Sequence, residues 1–149
     1  MNRVLVFLAA VLGALVLAPL GGADAVYHSQ HIALTPVGSA PLHSGFVENV
    51  HPNGPQVFAH EIYVLNGAAA GSYQVTLWIS GDTTACAGAS PVPTATLTTN
   101  DRGNGVADAV IRPALIDAAG LHGATLGIYW TVVGATASYR TACSVVHLD

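Results

Sequence analysis

Hydrophobic and polar residues alternate most cleanly from Gly71 to Ser80. Tyr73, Val75, Leu77 and Ile79 fall on one face, and Gln74, Thr76, Trp78 and Ser80 on the other. Successive side chains of an extended chain point to opposite faces, so this pattern predicts a half-buried strand. Leu126, Ile128, Trp130 and Val132 repeat it against Gly127, Tyr129, Thr131 and Val133, and Ser138 to Leu148 predicts a last strand. Val57 to Leu65 is an apolar strand in which Phe58, His60, Ile62 and Val64 share a face. The Asn66-Gly67 turn and Gly71 then predict a hairpin joining it to the 71–80 strand. Thr94 to Thr99 and Val106 to Ile111 flank a turn rich in glycine and asparagine, from Asn100 to Gly105, which predicts a second hairpin. Val26 to Leu34 reads as an edge strand and Leu42 to Val50 as a short one, followed by the turn His51-Pro52-Asn53-Gly54-Pro55. Pro113 to Gly120 carries proline just inside its start and glycine just past its end, the mark of a short helix. Seven or eight short strands with one helical turn near 113–120 predict an all-β chain, folded as an antiparallel sandwich.

Two features change what surrounds this domain. Asn2 and Arg3 precede an apolar run from Val4 to Leu20, and Gly21-Gly22 leads into Ala23-Asp24-Ala25. These are the three parts of a cleavable export signal. The expectation is a signal peptide over 1–25 and one β domain over 26–149, secreted or held in the cell envelope, with no membrane contact after cleavage. In that setting the chain's two cysteines, Cys86 and Cys143, predict a disulfide. Charge narrows the partners. The domain carries Arg102, Arg112 and Arg140 with no lysine, and the whole chain has a net charge of −4 with neutral histidines. A nucleic-acid surface needs a basic stripe that displaces counterions, so nucleic-acid partners are not expected. A polybasic membrane contact is ruled out on the same ground.

The run of strands, the Gly71-Ser72-Tyr73-Gln74-Val75 start and the Asn104-Gly105 turn together resemble the immunoglobulin-like and fibronectin-like sandwiches of exported bacterial proteins. The resemblance implies architecture only. The antibody order of cysteine and tryptophan is not reproduced, since Trp78 precedes Cys86 and Trp130 lies near Cys143.

Histidine is the unusual component, with seven in the chain, including His28, His31, His43, His51 and His60 in its first half. Imidazole is the commonest transition-metal ligand, so these five are candidate ligands for zinc or copper. Against this, His28 and His31 in one strand point to opposite faces, and no His-x-His pair places two rings on one face. His60-Glu61 matches half of a His-Glu-x-x-His zinc helix, but position 64 is Val and the segment reads as a strand. The Asn100–Gly105 turn puts Arg102 where a calcium loop needs an oxygen ligand. Trp78 stands on the polar face of its strand, a candidate ligand platform or a cover for a second layer. With no catalytic motif, the expectation is a non-enzymatic binding or structural module with an extracellular or envelope partner. The alternative is a histidine-based metal protein.

Overall fold

The computed structural model describes residues 27–52 and 59–148. The expected signal peptide and residues 53–55 of the expected turn lie outside them; His51 and Pro52 close a strand instead. Among the described residues there are nine strands and one short helix. The strands are β1 (Tyr27–Pro36), β2 (Ser44–Pro52), β3 (Ala59–Asn66), β4 (Gly71–Ser80), β5 (Ser90–Thr99), β6 (Gly105–Ile111), β7 (Thr125–Gly134), β8 (Ser138–Thr141) and β9 (Ser144–His147). The helix, α1, is Pro113–Ala118.

Every pairing is antiparallel, in the order β5-β4-β7-β8-β1-β2-β3-β6, with β9 beside β7. β1 pairs with β2 from Tyr27 to Ala33 and with β8 from Leu34 to Pro36, so one strand runs through both halves of the sheet. The two ends of the path, β5 and β6, are consecutive in sequence and meet at the turn between them. The sheet therefore nearly closes into a barrel, which leaves few exposed edges. β5 carries Pro91 and Pro93, and its place at the end of the path explains why they are tolerated.

β3 and β4 do not form the hairpin their spacing suggests: β3 pairs with β2 and β6, and β4 with β5 and β7. Their connection instead arches over the seam, where the Ala68 N–H donates to the Gly103 carbonyl in the β5–β6 turn (3.1 Å). Asn100 Oδ1 shapes that turn by accepting the Arg102 and Asn104 N–H groups (2.9 and 3.1 Å). Gly103 has φ +75°, and a Cβ there would fall 2.0 Å from the Ala68 carbonyl oxygen. The expected β5–β6 hairpin is thus a seam joined by its turn, each strand finding its ladder partner elsewhere.

The expected last strand is two, β8 and β9, interrupted at Ala142 and Cys143. Cys143 bonds to Cys86, with Cα atoms 5.7 Å apart. The Cys86 loop is organised by Asp82, whose carboxylate accepts the N–H groups of Thr84, Ala85 and Ala87. Those backbone donors hold its pKa below the usual range.

Inside the barrel the inward rows of β4, β7 and β8 include Tyr73, Val75, Trp130, Val132 and Tyr139, all buried. Burying an aliphatic side chain of such a row contributes about 1.5–3 kcal/mol. The Tyr73 and Tyr139 rings meet at 5.7 Å, and their hydroxyls donate to the carbonyls of Ala69 (2.5 Å) and Pro41 (2.8 Å). This end of the barrel is filled. At the other end the inward rows of β3 and β6 include the small Ala59 and Ala109 beside Ile111, and α1 lies across the opening with Ile116 turned inward.

Candidate functional site

The small residues leave a chamber of about 310 Å³. Leu77, Ile79, Val92, Ile116, Leu126 and Ile128 supply most of its apolar wall. Its polar wall follows from register. Asn49 on β2 stands opposite Glu61 on β3, both on the inward face, and His51 extends the β2 row. Glu61 is fully buried, and Asn49 is 3% exposed.

One oxygen of Glu61 is well supported. Oε2 accepts the Trp130 indole N–H (2.9 Å) and the Tyr63 hydroxyl. Tyr63 Oη also lies 2.8 Å from Thr94 Oγ1. Thr94 reaches it because the β4–β5 ladder slips there: Val75 pairs with Ala95 and Thr76 with Pro93, leaving Thr94 as the extra residue of a bulge. Bulges re-aim side chains in this way. The other oxygen, Glu61 Oε1, is buried without a hydrogen-bond partner among the described residues, and so is Asn49 Oδ1. Both residues line the chamber.

Burial pushes the Glu61 carboxyl above its ordinary range, against the opposing effect of the Tyr63 and Trp130 donors. The Tyr63 hydroxyl is pushed far up as well, by burial and then by the charge of Glu61. The arrangement holds a carboxyl group in a fixed pose at the wall of an apolar space. It can anchor a polar group of a bound molecule and can hold or release a proton at Oε1.

The candidate histidines are distributed around the sheet. His28 and His51, opposite each other on β1 and β2, stack at 5.4 Å. His31 packs on Phe46 and bonds Glu48 through Nδ1 (2.9 Å); Ser29 donates to the same carboxylate, and these contacts lower the Glu48 pKa. His43 lies just before β2, where its backbone N–H donates to the Asn66 carbonyl. His60 faces outward, its Nε2 3.6 Å from Asp108 Oδ2. Among the described residues no group of three or more His, Cys, Asp or Glu is placed to hold a metal ion. Trp78 is half-buried on the outer face. Its ring runs parallel to Tyr129 at 5.7 Å, its N–H donates to Thr131 Oγ1 (2.9 Å), and the Arg140 guanidinium lies 5.2 Å from the Tyr129 ring centre.

Sequence reasoning passed over Asn49, Tyr63, Thr94 and Trp130 as site residues and met Glu61 only in a motif that fails. The cause lies in β3, whose buried row is Ala59, Glu61, Tyr63 and Leu65, the face opposite to His60, Ile62 and Val64, while Phe58 of the expected row lies outside the described residues. Both faces carry apolar residues, and a glutamate ordinarily marks the wet one. The available signal was Tyr63 and Leu65 in phase with Glu61. Comparison with protein-family models, curated proteins and solved structures yields no match.

Proposed function

We propose that this chain is an exported, non-enzymatic binding module that takes a small, mainly apolar molecule into the chamber at the α1 end of its barrel. The observation that carries this reading is the apolar chamber of about 310 Å³ with two partnerless buried oxygens, Glu61 Oε1 and Asn49 Oδ1, in its wall. Its size sits at the lower end of ligand pockets, which span about 300–1,000 Å³, and apolar walls with a few convergent polar groups are what such pockets share. Buried polar atoms normally find partners, so an unmet pair beside empty space suits a ligand that meets them. Export is supported by the Asn2–Ala25 pattern and by the disulfide, and the scarcity of cations favours a small molecule over nucleic acid or membrane as the partner. The immunoglobulin-like relationship is proposed at the level of layers. The β1-β2-β3-β6 and β5-β4-β7-β8 halves oppose each other as two sheets do, with β1 as the shared strand.

The test is thermal unfolding of the purified, disulfide-bonded protein with a compact neutral probe, adamantanol. Binding raises the Tm by an amount that grows with the logarithm of one plus the ligand concentration over Kd. Ala109→Phe, which fills the chamber from β6, abolishes the shift. No shift in the native protein, or an unchanged shift in the filled variant, refutes the reading.

A further inference from the structure

Two unmet buried oxygens belong to residues that line the chamber, and with Glu61 ionised both are acceptors. Glu61 Oε1 and Asn49 Oδ1 belong to residues directly opposed on β2 and β3, a geometry that sets Cβ atoms about 4.5–5.5 Å apart. One ligand group can therefore reach both. Among the described residues, those lining the chamber include no lysine or arginine. The titratable groups around Glu61 are Tyr63 on its own strand, His51 on β2 and, beyond Tyr63, Asp108 on β6, while Trp130 and Thr94 supply neutral contacts.

The geometry points to a primary amine on a compact apolar body as the ligand of this chamber, its ammonium donating to Glu61 Oε1 and Asn49 Oδ1. This rests on the chamber being a ligand site. An ammonium brings three donors and no acceptor, matching a wall that offers acceptors. Hydrogen bonds between ionised partners are roughly twice as strong as neutral ones, and more so away from water. An alcohol meets one acceptor and leaves the other unmet, and a carboxylate brings lone pairs toward lone pairs.

The experiment is isothermal titration calorimetry of the disulfide-bonded protein with aminoadamantane, adamantanol and adamantane carboxylate, which share one rigid body. The expected order is amine at least tenfold tighter than alcohol, with the carboxylate weakest. Glu61→Gln, which keeps an acceptor for Tyr63 and Trp130, should lose the preference for amine over alcohol. Asn49→Leu should weaken the amine more than the alcohol by an independent route. Equal affinity for amine and alcohol, or an amine preference that survives in Glu61→Gln, overturns the amine assignment and leaves the apolar binding function standing. Binding of none of the three overturns both.

Discussion

Removing the Cys86–Cys143 disulfide should destabilise the whole barrel and leave the Cys86 loop in place. The bridge closes a sequence separation of 57 residues, running from the loop after β4 to the gap between β8 and β9. On the chain-entropy model, opening a loop of that length costs about 4 kcal/mol, because the unfolded chain regains freedom that the folded chain never had. Against a typical domain stability of about 5–15 kcal/mol this is a large share. The loop keeps its own anchors. Asp82 still receives three backbone N–H groups, Ser80 Oγ still donates to the Ala87 carbonyl (2.5 Å), and Gly127 still lies against the Asp82 carbonyl, where a Cβ would come within 2.1 Å. Cys86 adds a correction of its own, since its φ of +53° is unfavourable for a residue with a Cβ. Cys86→Gly/Cys143→Ala should therefore retain about 1 kcal/mol that Cys86→Ala/Cys143→Ala lacks. Urea unfolding gives the stabilities, and the m-value should rise as the unfolded ensemble expands. Native-state hydrogen exchange at Thr84, Ala85 and Ala87 separates the two accounts. A global loss below about 1 kcal/mol, with exchange accelerated only in this loop, would refute the entropic reasoning and make the bridge a local clip.

Gly103→Ala should cost about 2–4 kcal/mol, from a left-handed φ and a collision with the Ala68 backbone. Gly88→Ala, at φ +65° with nothing within 4 Å, should cost only about 1 kcal/mol, and thermal melts compare the two. The folded-state pKa of Glu61 lies above its unfolded value, so its contribution to stability is complete below the ordinary carboxylate range and is lost as pH rises through the folded value. Urea midpoints across acidic to alkaline pH should show Glu61→Gln gaining on the native protein as pH increases; parallel curves would contradict the assignment. Trp130→Phe keeps most of the packing but removes the indole donor to Oε2, which should cost about 1–3 kcal/mol by urea unfolding and steepen that same pH dependence.

Strand positions were legible wherever one face alone was apolar. The 71–80 strand occupies the residues its alternation marks, with Tyr73, Val75 and Leu77 buried, and α1 begins at the proline that announced it. Partners were less legible. Asn66-Gly67 has the composition of a hairpin turn, yet the arch it opens passes over the β5–β6 turn, and only the ladder reveals that β6 and β5 occupy the space between β3 and β4. The single long strand expected over 138–148 breaks at Cys143, where the chain is drawn toward Cys86. Glu61 was the least legible residue, because a carboxylate on an alternating strand reads as solvent-facing until the opposite row proves to be the outer one.

By itself, the order of residues determined that the chain extends into short antiparallel strands, where most of them lie, and that two cysteines stand ready to be joined. Those properties follow from local periodicity and from the backbone preferences of glycine, proline and asparagine. Tertiary structure alone decided that one sheet nearly closes, which row of β3 turns inward, and that small side chains on β3 and β6 leave room beside Glu61 and Asn49. Such properties depend on which distant strands meet and on the volume they enclose, and no stretch of sequence encodes that volume locally.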